Sequence, residues 1–196
     1  LPVIAAMQGH AIGAGWSLGM FCDIALFAAE GVYHSNYMWY GFTPGAGATL
    51  VFPFRLGDDL GREALFSAHE YRGSDLVGRA PGLTVMPAQD VLPRAMEMAH
   101  TLATYPRQDL LVAKAEAIKP IVSHLDAVLS QELAMHAQTF VGNDRVRTRI
   151  EEKFSDSDFQ KSELTDDHGE VAARPEVREQ LIASLAEDLM IAVEDI

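Results

Sequence analysis

The chain has 196 residues, 48% of them hydrophobic and 22% charged, and carries a formal net charge of −13. These proportions fit one soluble globular domain with an appendage and speak against a nucleic-acid-binding surface. No apolar run approaches the length of a membrane span, no signal-peptide pattern is present, and the one cysteine, Cys22, rules out an internal disulfide and a thiolate cluster.

The expected location is therefore the reducing cytoplasm. The acidity is uneven: from Ser155 onward there are 12 acids against 3 Lys and Arg, a net of −9. The sequence does not begin with Met and stops inside a helical pattern, so it reads as a piece of a longer polypeptide.

In chain order, "PVIAAMQG" is a short apolar run closed by Gly9 and predicts a buried strand. Ala14 to Phe21, opening out of a glycine loop, predicts a helix. "DIALFAA" predicts a second buried strand and "VYHSNYMWYGF" a third, whose period of two separates Tyr33, Ser35, Tyr37 and Trp39 from Val32, His34, Asn36 and Met38. "TPGAGATL" is a small-residue loop leading into a helix, and "GRAPGLTVMP" one more strand. Strand, loop, helix and strand at short spacing indicate an α/β layered core.

From there to about Phe154 the pattern is helical. Pro93, Pro106 and Pro120 or Ser123 mark three helix starts, since proline is tolerated in a first turn. Leu125, Leu129, Leu133, His136 and Phe140 fall on one face of the third. "NDRVRTRIEEKF" is a charged helix capped by Asn143 or Asp144. The polar, acidic stretch 155–176 reads as a linker. Beyond it, over 177–196, Val177, Leu181, Ile182, Leu185, Leu189 and Val193 mark a new amphipathic helix.

Gly13-Ala14-Gly15 at a helix start leaves free N–H groups with the positive end of the helix dipole behind them. Such amides can hold a carbonyl oxygen as it becomes an oxyanion. Close strand–helix packing is the other use of the same glycines. Between Gly9 and Leu50 the only acids are Asp23 and Glu30, neither of them inside a glycine loop. On residues alone, His136 is as well explained as a satisfied core histidine. Tyr37 and Trp39 are explained by packing, and Arg145, Arg147 and Arg149 by a solvated helix face. The histidines show no metal spacing.

The combination "PVIAAMQGHAIGAGWSLGMFCDIALFAAE … YGFTPGAGATL", continued by "GREALFSAHEYRGSDLVGRAPGLTVMP", resembles the crotonase (enoyl-CoA hydratase/isomerase) family from Pro2 to about Phe154. The resemblance implies an α/β fold, a spiral of ββα units followed by a C-terminal helical region that packs in trimers. Residues 1–154 would be the C-terminal portion of such a domain. The first oxyanion amide and a loop after it would lie upstream, so this portion alone is expected to be inactive.

By the same resemblance the second oxyanion amide is that of Ala14, beside Gly13. The two glutamates of hydratases fall on Ser17 and Tyr37, neither of which is a carboxylate base at neutral pH. "YHSNYMWYGFTPGAGAT" resembles the decarboxylase subgroup of polyketide β-branching. That subgroup implies a 3-methylglutaconyl-type thioester substrate on an acyl carrier protein and a 3-methylcrotonyl-type product. It implies no cofactor beyond the carrier's phosphopantetheine arm and no metal, a catalytic role for His136 in "ELAMHAQTF", and an upstream lysine. Gly13, Ser17, Tyr37, Gly41 and Gly45 would line the substrate site. The Arg145/Arg147/Arg149 face could receive an acidic carrier. "PEVREQLIASLAEDLMIAVEDI" resembles the first helix of an acyl carrier protein, which implies other polyketide synthase domains as partners. A double-bond isomerase and a non-catalytic trimerising scaffold are the alternatives.

Overall fold

In a computed structural model that describes residues 1–155, each early strand pair feeds one strand to each of two small sheets. β1 (Ile4–Met7) and β2 (Ala11–Ile12) are followed by α1 (Ala14–Phe21), then by β3 (Ile24–Ala28) and β4 (Val32–His34). β3 pairs in parallel with β1, and β4 in parallel with β2. The one-turn helix α2 (Tyr37–Tyr40) and helices α3 (Ala48–Leu56) and α4 (Asp58–Ser67) intervene. β5 (Glu70–Arg72) then adds antiparallel to β4, and after α5 (Gly73–Leu76), β6 (Thr84–Met86) adds parallel to β3. The sheet orders β1-β3-β6 and β2-β4-β5 make the α/β spiral expected from the sequence. Four helices follow: α6 (Ala88–Ala103), α7 (Arg107–Ala117), α8 (Lys119–Thr139) and α9 (Asp144–Ser155).

Apolar side chains of α1, α3 and the second sheet build the core. Trp16 and Met20 of α1 are fully buried with Tyr33, Phe52 and Tyr71. The Trp16 ring lies 4.6 Å from Phe52 and 5.9 Å from Tyr33, so this indole sets how α1 sits and where its N-terminus points.

Several expectations need correction. The third strand ends at His34 rather than running on through Tyr37 and Trp39. Its neighbours end there: β2 stops at Ile12 where Gly13 turns into α1, and no ladder continues on either side. The chain closes a helical turn instead, with Tyr40 N–H donating to Asn36 O at 3.2 Å, and left-handed Gly41 (φ +92°) ends it. Helix α6 starts at Ala88, leaving Pro93 in its interior. The missing start signal is remote: Glu30 Oε2 accepts from Ala88 N–H at 2.9 Å. The leucine face of α8 is also revised. Ile121, Leu125, Val128 and Glu132 face inward, whereas Leu129, Leu133 and Phe140 are exposed, Leu133 by 69%. Asn143 does cap α9, accepting from Arg145 and Val146 N–H. Ser155, expected in the linker, is the last residue of α9. The rest of the expected linker and carrier-like helix lies outside the described residues.

One buried titratable group ties β4 to β5. His34, 3% exposed, has Nε2 2.9 Å from Ala68 O and Nδ1 3.4 Å from Glu70 Oε1. Burial pushes its pKa below the ordinary value, with His69 adding to the fall and Glu70 and the Ala68 carbonyl opposing it. The unfolded chain titrates near ~6.5, so below that pH the unfolded state takes up the proton first and stability falls until the lower folded-state pKa is passed. Thermal melts of the full-length protein should lose midpoint on acidification from about pH 7 to pH 5.5. His34→Gln should flatten that slope; identical slopes would exclude His34 as its source.

Candidate active site

Ala14 occupies the first position of α1, where an amide has no intrahelical acceptor, and both Ala14 and Gly15 are exposed. Gly13 makes this geometry. Its N–H donates to His34 O at 2.7 Å, its φ is +57°, and a Cβ there would lie 2.7 Å from Asn36 Oδ1. Only glycine fits the turn. The amides of Ala14 and Gly15 thus lie exposed at a helix start fixed by this bend, where the positive end of the helix dipole favours an anion.

Behind that helix, Ser17 and Tyr37 are brought together. Ser17 Oγ and Tyr37 OH are 3.2 Å apart, with the residues 0% and 6% exposed. Burial pushes the Tyr37 phenol above its ordinary pKa; the charge of Glu132 adds to the rise and the Ser17 hydrogen bond opposes it. The pair therefore stays neutral at physiological pH and offers no base.

His136 lies on α8 in an aromatic seat formed by Phe42 and Phe140, each ring 5.9 Å away. Tyr37 is linked to it through Phe42, whose ring is 5.9 Å from the phenol. His136 Nε2 is 2.9 Å from Thr43 O. A carbonyl can only accept, so Nε2 carries a hydrogen, which leaves Nδ1 as the nitrogen not committed to the backbone. Gly45 makes room: a Cβ there would sit 2.4 Å from His136 Cε1. Gly45, expected to line the substrate site, thus seats the imidazole. Gly41 ends α2, and Arg149 Nη1 lies 3.3 Å from where its Cβ would be.

The acids are accounted for elsewhere. Asp23 accepts from Val3 N–H at 2.7 Å and pairs with Lys114 at 2.8 Å, while Glu30 caps α6. A third carboxylate, Glu132, escaped sequence reasoning. It is 2% exposed and bonded to Gly47 and Thr49 at the start of α3. An acid one helical turn before His136 was the available signal. Among the described residues no group of His, Cys, Asp and Glu could hold a metal ion, and no helix is long and apolar enough to cross a membrane.

A ββα spiral that exposes the first amides of a core helix, with a later helix laid across its loops, defines a crotonase-type protein. The chain belongs to the enoyl-CoA hydratase/isomerase family, whose family model matches residues 1–158. It is 46% identical over 150 residues to the bacillaene synthase decarboxylase PksI of Bacillus subtilis, covering 76% of this chain and 60% of that protein. A solved structure of a dehydratase/decarboxylase enzyme couple involved in polyketide β-branching matches with a TM-score of 0.75 at 45% identity. That match covers 79% of this chain and 63% of the other. The ECH2 decarboxylase domain of CurF from Lyngbya majuscula matches with a TM-score of 0.74 at 35% identity over the same shares. An enoyl-CoA hydratase of Mycobacterium avium subsp. paratuberculosis, 19% identical with a TM-score of 0.70, shares the fold. The chain spans about three-fifths of the length of these decarboxylase relatives, PksI and the CurF domain.

Proposed function

We propose that the protein removes CO₂ from a 3-methylglutaconyl-type thioester carried on the phosphopantetheine arm of an acyl carrier protein during polyketide β-branching. The substrate's terminal carboxylate is vinylogous to the thioester. As the carbon–carboxylate bond breaks, its electron pair moves through the double bond onto the thioester oxygen, giving a dienolate and CO₂. The Ala14 amide holds that oxyanion, together with a donor from the upstream part of the domain. His136, as the imidazolium, gives its Nδ1 proton to the terminal carbon of the dienolate, leaving a 3-methylcrotonyl-type thioester, and the neutral ring then takes a proton from solvent. The route asks for no metal or prosthetic group.

One observation carries this reading. Where hydrating relatives are expected to place two glutamates, Ser17 and Tyr37 are sealed against each other as a neutral pair. Hydration needs a carboxylate base; decarboxylation generates its carbanion without one. The decarboxylases among the relatives point the same way. Mass spectrometry of the full-length domain with the loaded carrier should show loss of CO₂; a hydrated product would refute the proposal. A carrier substrate lacking the free carboxylate should remain unchanged, whereas an isomerase would convert it.

A homotrimer is proposed on the helical region. α7 has no buried residue, and Val112, Val122 and Leu133 of α7 and α8 are each more than half exposed. Such apolar surface is what a subunit contact covers. The carrier and neighbouring synthase domains would meet this assembly in the cytoplasm.

A further inference from the structure

We propose that Glu132 is a positioning residue for His136, acting through the loop on which the imidazole rests. The inference relies on the reading above only for what the imidazole does; where the ring sits follows from the structure.

Glu132 and His136 stand one turn apart on the same face of the 21-residue helix α8. A carboxylate left 2% exposed needs full compensation. It has it: Oε2 accepts from Gly47 N–H at 2.7 Å, and Oε1 from Thr49 N–H at 3.0 Å and the Thr49 hydroxyl at 2.6 Å. These are the opening amides of α3, nine residues long, whose dipole favours a negative charge there. The grip reaches the end of the loop 43–47 where it enters α3.

The other end is held by the same helix. Thr139 Oγ1 lies 2.9 Å from Thr43 Oγ1 and accepts from Thr43 N–H at 3.4 Å. Between the two grips lie both things His136 requires of the loop: the Thr43 carbonyl that takes its Nε2 hydrogen, and the bare Cα of Gly45 against its ring. Gly47 is confined as well, since a Cβ there would lie 2.5 Å from Phe21 Cζ. Glu132 and Thr139 therefore bracket the imidazole as a clamp. Its consequence is chemical: it pins hydrogen on Nε2 and leaves Nδ1 as the atom that exchanges the catalytic proton.

The test uses the full-length domain, with ¹⁵N-labelled histidine read by NMR and decarboxylation read by mass spectrometry. Glu132→Gln keeps the shape but puts an NH₂ where an acceptor is needed. His136 should lose its fixed Nε2–H signature, and kcat should fall by about a hundredfold, the cost of a displacement of order an ångström, with KM little changed. Glu132→Asp, too short to span Gly47 and Thr49, should not restore either readout. Thr139→Ser should behave as wild type and Thr139→Val should loosen the tautomer, which keeps the clamp testable if the Glu132 variants fail to fold. An unchanged ring signature, with kcat lost only in proportion to the folded fraction, would overturn the proposal. The imidazole signal needs no substrate. A wild-type domain that does not decarboxylate would therefore sink the functional reading while the clamp is judged on its own spectrum.

Discussion

Replacing His136 with alanine in the full-length domain is expected to lower kcat for decarboxylation by about two to four orders of magnitude, the range for removing a positioned general acid or base. Alanine is the best helix former, so α8 should persist. The change removes the Nε2 bond to Thr43 O and the ring contacts with Phe42 and Phe140, none of which holds the two sheets together. His136→Gln separates structure from chemistry. Its amide can still donate toward Thr43, but it exchanges no proton, so it should be as slow as the alanine variant. Added imidazole should partly recover the alanine variant, because the seat over Gly45 stands empty in it. Turnover equal to wild type in either variant would remove His136 from the mechanism.

The elements that carry their own signals were legible in the sequence. Ala14–Phe21 is a helix with the expected ends because Gly13 and Cys22 punctuate it locally, and Asn143 caps α9 through its own side chain. What failed was decided by partners distant in the chain. The period-two pattern through Tyr37 is real, yet no strand lies beside it past His34, so a ladder could not form. Helix α6 starts at Ala88 because Glu30, 58 residues earlier, takes its first amide. The spacing of Glu132 from His136 was legible, but its partners were not: they are 83 and 85 residues away. Local pattern finds elements; long-range hydrogen bonds place their ends and the site's supports.

The distribution of acids ties fold to function. Near the proposed oxyanion site, a protein that activates water needs a carboxylate free to accept a proton. Here Asp23 is spent on Lys114 and the Val3 amide, Glu30 on α6, and Glu132 on α3. Each anion is placed where backbone amides or an ammonium group stabilise it, and the neutral Ser17–Tyr37 pair fills the space behind α1. Negative charge in the site would then come only from substrate. An enolate-forming reaction tolerates that arrangement and a hydration does not.

The second large effect is expected from a single hydrogen atom. Ala14→Pro deletes one N–H at a position where proline is compatible with a helix, the first of α1. The bonds that start the helix come from Trp16 and Ser17 N–H to Gly13 O, and neither uses the Ala14 amide. Gly13 is already outside the helical region, so the constraint proline places on its predecessor is not violated there. With Trp16 and Met20 still buried beneath it, α1 should remain seated. Loss of one oxyanion donor should then cut kcat by about 10²- to 10³-fold, roughly 3–4 kcal/mol of barrier, with the thermal midpoint nearly unchanged. Ala14→Gly keeps the N–H and removes only the methyl group, so it should stay within a few-fold of wild type. Undiminished turnover by the proline variant would show that this amide holds no developing charge. Undiminished polyketide output from a synthase carrying it would favour a scaffolding role over an enzymatic one.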